Sequence, residues 1–106
     1  MVTRGDIWLV NLDPSVGSEI KKSRPCVVVS PPEIHDHLRT LLVAPMTTKG
    51  FPAPFRVPVT HGGKKGLILL DQMRAVDKSR LVRKSGAVSR QTLAGTLSTL
   101  REVFAD

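Results

Sequence analysis

The stretch covering residues 4–30, RGDIWLVNLDPSVGSEIKKSRPCVVVS, decides the fold. Two runs inside it, DIWLVNL (residues 6–12) and CVVVS (residues 26–30), are short and aliphatic or β-branched, as strands are. Between them Asp13-Pro14 and Gly17-Ser18 supply turn chemistry, so the chain leaves one strand, crosses a polar loop and returns in another. The same alternation continues through residues 40–44, 55–59, 66–70, 73–77 and 82–88, divided by Pro31-Pro32, Gly50 and His61-Gly62-Gly63. All eight prolines lie between Pro14 and Pro58, which leaves only the last part of the chain free for a long helix. There, beginning at Ser89 as N-cap, Leu93, Leu97, Leu100 and Phe104 recur at helical spacing, while Arg90, Gln91, Ser98 and Arg101 take the opposite face. The expected fold is mainly β with a C-terminal helix: a small SH3-like or OB-like antiparallel barrel closed by that helix. No segment is long enough to be a linker, so residues 1–106 are expected to form a single domain.

Composition narrows the classes further. At 41% hydrophobic and 24% charged residues the chain is not a disordered basic tail. No apolar run approaches the roughly 18 residues of a membrane span. The start MVTRGDIWLV has neither the apolar stretch nor the cleavage site of a secretion signal, so a cytoplasmic location is expected, with no membrane partner. The single cysteine, Cys26, cannot close an internal disulfide, and its apolar surroundings read as a buried, inert thiol.

The 16 basic and 9 acidic residues give a charge of +7, of which residues 54–106 carry +6. The densest stretch holds Arg74, Lys78, Arg80, Arg83, Lys84 and Arg90 against Asp77 alone. Such a surplus suits a nucleic acid, an acidic protein or a merely solvated surface. With only Trp8, Phe51, Phe55 and Phe104 as aromatics, a base-stacking platform is disfavoured, and recognition has to rest on phosphates and polar edges.

Three short motifs lead nowhere. Arg4-Gly5-Asp6 enters a strand, and Gly62-Gly63-Lys64-Lys65-Gly66 lacks both the spacing of a phosphate loop and a following helix, so it reads as a hairpin loop. In His35-Asp36-His37, two imidazoles two residues apart in an extended loop point to opposite sides with no third ligand, and no metal is expected. The informative segments are the loop NLDPSVGSEIKKSRP (residues 11–25), bearing Ser18, Glu19, Lys21, Lys22 and Arg24, and the loop PMTTKG (residues 45–50), bearing Thr47, Thr48 and Lys49. Loops at one end of a small barrel can converge into one cleft.

Taken in order, Gly-Asp-x-Trp, Asp-Pro, Gly-Ser-Glu, Arg-Pro, Pro-x-Thr and the Asp71-Gln72 pair resemble the MazF/PemK (Kid) toxins over nearly the whole chain. The resemblance implies a PemK/CcdB-type barrel and a homodimeric toxin of a type II toxin–antitoxin pair. It implies cleavage of single-stranded RNA, mRNA above all, at short sequences without a metal or other cofactor. It further implies restraint by a cognate acidic, flexible antitoxin, with promoter DNA as a joint target of the two. Carried onto this chain, it makes Arg24 and Thr47 catalytic and matches Glu19 to an acidic residue implicated in some members.

The implied chemistry is attack of a ribose 2′-OH on the adjacent phosphate, leaving a 2′,3′-cyclic phosphate and a 5′-OH. A base, a neutralising charge and a proton donor are then required. Arg24 suits charge neutralisation, Thr47 can donate to the same oxygens, and Glu19 is either the base or an ion-pair partner that shapes the loop. Ser18, Lys21, Lys22, Thr48 and Lys49 are expected to contact RNA, the lysines by holding phosphates. Asp71 and Gln72 either contact bases or organise the cleft. Where the Kid branch has a functional arginine and histidine this chain has Leu69 and Ser18, so the resemblance points to the MazF branch. The competing classes are a CcdB-like toxin that binds DNA gyrase without catalysis, and a plain nucleic-acid-binding barrel.

Overall fold

In the computed structural model, which describes residues 2–20 and 22–106, every one of the seven predicted strands is present. They are β1 (Asp6–Asn11), β2 (Ser23–Val28), β3 (Thr40–Thr47), β4 (Arg56–His61), β5 (Lys64–Leu69), β6 (Arg74–Asp77) and β7 (Leu81–Ala87). A short helix α1 (Pro32–His35) and a C-terminal helix α2 (Arg90–Val103) complete the chain. The strands form one antiparallel sheet in the order β4-β5-β3-β2-β1-β7, curled into a half-barrel, with β6 pairing the first half of β3.

The eight-residue β3 is the spine of the molecule. Its start pairs with β6 (Leu41 with Val76), its middle with β2 (Val43 with Val28) and its end with β5 (Met46 with Ile68). Because strand side chains alternate, β2 and β3 feed two cores, one on each face. Val27, Val29, Ala44 and Met46 join Ile7, Val59, Ile68 and Leu70 on one side. Cys26, Val28, Leu41 and Val43 join Val10, Leu12 and Val76 on the other. This is the physical reason for the unbroken run CVVVS: a strand covered on both faces has no polar positions to alternate with. Each fully buried Val, Leu, Ile or Met among them contributes about 1.5–3 kcal/mol by leaving water.

Three local expectations change. Residues 45–47 do not begin a loop; β3 continues through Thr47 because Met46 and Thr47 find ladder partners in Ile68 and Leu67. In the same way Arg24 belongs to β2 rather than to the loop before it, paired with Val10 of β1. His35 does not sit in an extended loop: it ends α1, is buried, and its Nδ1 lies 3.1 Å from the Ser30 hydroxyl.

The hairpin reading of the glycine pair holds. Gly62 and Gly63, with φ of 59° and 76°, form the two-residue turn joining β4 to β5, a conformation that the missing Cβ makes accessible. Ser89 does cap α2, its Oγ accepting from the Thr92 N–H at 3.0 Å. The helix buries Thr96 fully and Leu93, Leu97 and Leu100 partly, but Phe104 falls beyond its last turn and is 73% exposed. No helix among the described residues is long and apolar enough to cross a membrane.

Candidate active site

Antiparallel pairing of Cys26 with Pro45 fixes the register of β2 on β3. Arg24 and Thr47 each lie two residues beyond that pair, near the start of β2 and at the end of β3. The β4–β5 hairpin packs on the same end, and a cleft of about 270 Å³ opens there, lined by Arg24, Pro25, Met46, Thr47, Thr48, Lys49, His61 and Lys64. Close approach of β5 depends on Gly66, where a Cβ would come 2.6 Å from the Thr47 carbonyl oxygen. The Thr47 hydroxyl accepts from the Lys49 N–H at 3.1 Å, which turns the chain so that Thr48 and Lys49 follow it into the cleft. Beneath Arg24, the Cys26 thiol contacts the Arg24 carbonyl at 3.4 Å; burial pushes that thiol up to about 12, against a smaller lowering by Arg74, so it stays protonated and inert.

The cleft therefore collects three cations, Arg24, Lys49 and Lys64, two hydroxyls and one imidazole, and no carboxylate lines it among the described residues. That is a lining for a phosphate, with a planar guanidinium suited to bidentate contact.

Of the residues singled out from sequence, Arg24, Thr47, Thr48 and Lys49 are brought together here. Glu19, Asp71 and Gln72 are not. They line a neighbouring cleft of about 460 Å³ with Leu12, Pro14, Pro45 and Arg74. All three are engaged by nearby groups. Glu19 Oε1 accepts from the Val16 N–H at 2.6 Å, Gln72 Oε1 accepts from the Ile20 N–H at 2.8 Å, and Asp71 is held by Arg56. Ser18 is exposed on the loop between β1 and β2, and Lys22 is exposed at its end with its N–H on Asp13 Oδ1 at 2.8 Å. Lys21 lies outside the described residues.

Two cleft residues, His61 and Lys64, were not singled out from sequence. They are partners across the β4–β5 turn, so HGGK carried the signal that they share an end of the hairpin. What it did not carry is the pairing of β5 with β3, which sets that hairpin end beside Thr47.

Part of the basic stretch after β5 is tied to the fold. Arg74 Nη1 donates to the Leu12 carbonyl at 3.1 Å, and Arg80 Nη1 donates to the carbonyls of Asn11 and Asp13. Lys84 Nζ is 3.3 Å from the buried Asp6 carboxylate. These three contacts tie β6, β7 and the turn between them to β1 and the residues after it, while Arg83, Lys84 and Arg90 stay exposed at the surface.

Comparison with known proteins bears on the fold and the family. The chain is 35% identical to the endoribonuclease PemK of Escherichia coli over 107 aligned residues, covering 92% of this chain and 80% of that one. Among solved structures, MazF from Deinococcus radiodurans superposes with a TM-score of 0.83 at 25% identity, covering 96% of this chain and 94% of that one. A MazE–MazF complex from the same organism aligns with a TM-score of 0.78 at 22% identity over 98% and 95% of the two chains, a likeness of fold. The family model for the PemK-like, MazF-like toxin of type II toxin–antitoxin systems matches residues 3–104, and the chain belongs to that family.

Proposed function

We propose that this protein is the toxin of a type II toxin–antitoxin pair and an endoribonuclease that cuts single-stranded RNA, mRNA included. The observation that carries this reading is the convergence of Arg24, Thr47 and Lys49 in one cleft, with no carboxylate on its lining among the described residues, in a chain belonging to the family. A phosphate entering there meets the Arg24 fork and the Lys49 ammonium, with the Thr47 hydroxyl as a further donor. As a 2′-OH attacks, negative charge grows on the non-bridging oxygens, and donors already aimed at them stabilise the transition state more than the ground state. The 2′,3′-cyclic phosphate and 5′-OH ends follow from this route.

The neighbouring cleft, with Glu19, Asp71 and Gln72 on its wall, suits the next nucleotide of the strand, and Ser18, Lys22 and Thr48 are further RNA contacts in this reading. Lys21 belongs to the same RNA-contacting loop in this reading. A cognate antitoxin is the second partner, and an acidic segment of it would compete with RNA for the same cations. A homodimer extends the short groove of one chain, and promoter DNA bound jointly with the antitoxin completes the expected partners. The Escherichia coli relative named as an endoribonuclease and the Deinococcus MazE–MazF assembly support this direction.

The deciding experiment is incubation of the purified protein with a long single-stranded RNA in EDTA, followed by mapping of the new ends. Site-specific scission leaving 5′-OH ends is expected. Intact RNA in every sequence context overturns the reading, and gyrase inhibition in that case would favour a CcdB-like toxin.

A further inference from the structure

Transfer of a phosphate from O5′ to O2′ needs a group that takes the 2′-proton, and among the described residues one side chain of the cleft has the chemistry for it. A guanidinium or an ammonium has no lone pair free for a proton, and threonine hydroxyls are not bases. A neutral imidazole has one ring nitrogen that accepts. Glu19 and Asp71 face the neighbouring cleft with their oxygens on the Val16 N–H and on Arg56. We propose that His61 is the catalytic proton acceptor of this cleft and that Ser85 is the residue that positions it, an inference that rests on the endoribonuclease reading above.

The support for His61 is built into the far edge of the sheet. Strands β4 and β7 are its two ends, and the His61 side chain at the end of β4 reaches β7, its Nε2 3.3 Å from Ser85 Oγ. Ser85 is aimed there by an irregularity in β7: Gly86 pairs with Ile7 and Lys84 with Trp8, so Ser85 is the extra residue of a bulge. Bulges of this kind re-aim one side chain out of the ladder. The next residue, Gly86, has φ 153° and leaves room for the ring, since a Cβ there would stand 3.2 Å from His61 Cε1.

The Ser85 hydroxyl also lies 3.5 Å from the Ile7 carbonyl, which can only accept. With its proton directed to Ile7, Ser85 Oγ accepts from Nε2–H of His61. The unprotonated nitrogen is then Nδ1, which is the acceptor a 2′-OH requires. The charged side chains of the facing segments are Lys64 and Lys65 on β5, Arg83 and Lys84 on β7, Arg24 and Lys49 across the cleft, and Arg90 at the start of α2.

In the proposed step the 2′-OH proton passes to His61 Nδ1 as the O2′–P bond forms. The P–O5′ bond breaks, and the leaving O5′ takes a proton from water. The imidazolium then returns its proton to solvent, so the cycle closes with no net gain of protons and no change in oxidation state.

The test is the pH–rate profile of RNA cleavage, from pH 5 to 9 with saturating RNA, for wild type, His61→Gln, Ser85→Ala and His37→Ala. Folding is checked by thermal melts, and His61→Asn is run in parallel should glutamine disturb the hairpin. His61→Gln is expected to lower kcat by roughly 100-fold or more while RNA affinity stays within about threefold, and to remove the acid limb of the profile. Added imidazole should restore part of the activity of His61→Ala. Ser85→Ala should shift the acid limb and lower kcat less than His61→Gln does. His37→Ala should match wild type. A His61→Gln enzyme that cuts within about threefold of wild type and keeps the acid limb overturns the assignment alone. A wild-type protein that leaves RNA intact overturns the endoribonuclease reading with it.

Discussion

Arg56 reaches across from β4 to hold both carboxylate oxygens of Asp71, with Nε 3.2 Å from Oδ1 and Nη2 3.1 Å from Oδ2. Its third nitrogen donates to the Phe51 carbonyl at 3.3 Å, and the guanidinium carbon sits 4.9 Å from the Phe51 ring centroid. The Asp71 bond raises the arginine's pKa, so this is a permanent cation with a fixed partner. It fastens the chain after β3 to the turn after β5, next to the second cleft. Arg56→Ala and Asp71→Ala should therefore have equal effects on cleavage and on protease sensitivity near Phe51, and the double variant should be no worse than either. Additive losses in RNA affinity would show instead that Asp71 contacts RNA in its own right.

Gly66 controls how near β5 comes to the cleft end of β3. A methyl group there meets the Thr47 carbonyl at 2.6 Å, a backbone atom that cannot rotate away. Gly66→Ala should destabilise the fold by about 1–3 kcal/mol, the range for overpacking a close contact. It should also lower cleavage by moving Thr47 away from Arg24. Urea melts and kcat measured on the same preparation test both, and unchanged values would mean that β5 tolerates the shift.

Arg24 is exposed at the start of β2, outside both cores, so Arg24→Ala should leave the melting temperature within a degree or two of wild type. Its loss should lower kcat/KM by roughly 1,000-fold, the scale for removing one charged donor from a developing oxyanion. Thr47→Val removes the cleft hydroxyl and the Lys49 N–H acceptor together, whereas Thr47→Ser keeps both. The expected order of kcat is wild type close to Thr47→Ser and well above Thr47→Val, with RNA affinity changing less than kcat.

Asp6 is a buried carboxylate whose Oδ2 accepts from the Thr3 N–H at 2.8 Å and from Trp8 Nε1 at 3.4 Å, while Oδ1 faces Lys84 at 3.3 Å. It joins the start of β1 to β7. Asp6→Ala leaves buried donors without an acceptor and should cost about 2–4 kcal/mol, read from denaturant melts followed by Trp8 fluorescence. A loss below about 0.5 kcal/mol would place the anchor of β7 elsewhere.

Cys26 sets an alkaline limit on the fold. Its folded-state pKa is pushed up from 9.0 to about 12 by burial, so the unfolded chain loses this proton first as pH rises. The sign follows from linkage: the stabilisation is complete below pH 9 and is lost progressively between pH 9 and 12. Cys26→Ala should flatten the fall in stability across that window. At pH 8 the native thiol should resist alkylation and react promptly once urea unfolds the chain.

The strands were legible because each is a short aliphatic or β-branched run between turn residues, and α2 because its leucines keep helical period after a serine cap. The ends of β2 and β3 were not. Ser23, Arg24 and Thr47 look like loop residues locally and are held in the sheet by partners distant in sequence. The helix α1 is four residues long and opens on a proline pair, too short for any period to register. The candidate site divided along the same line: Arg24, Thr47, Thr48 and Lys49 were readable from motif order and loop composition, while the place of His61 depends on the pairing of β5 with β3 and on a side-chain contact with Ser85 of β7.

By itself the sequence determined the mainly β architecture, the C-terminal helix and the family, because runs of side chains, turn residues and motif order are properties of the linear chain. Only the tertiary structure decided how the +7 charge is used. Cations that are neighbours in sequence part company when strands cross: Arg74, Arg80 and Lys84 are engaged by carbonyls and by Asp6, whereas Arg24, Lys49 and Lys64, far apart in the chain, gather at one sheet end. Electrostatic energy depends on distance in space, and in a sheet that distance is set by register rather than by sequence separation.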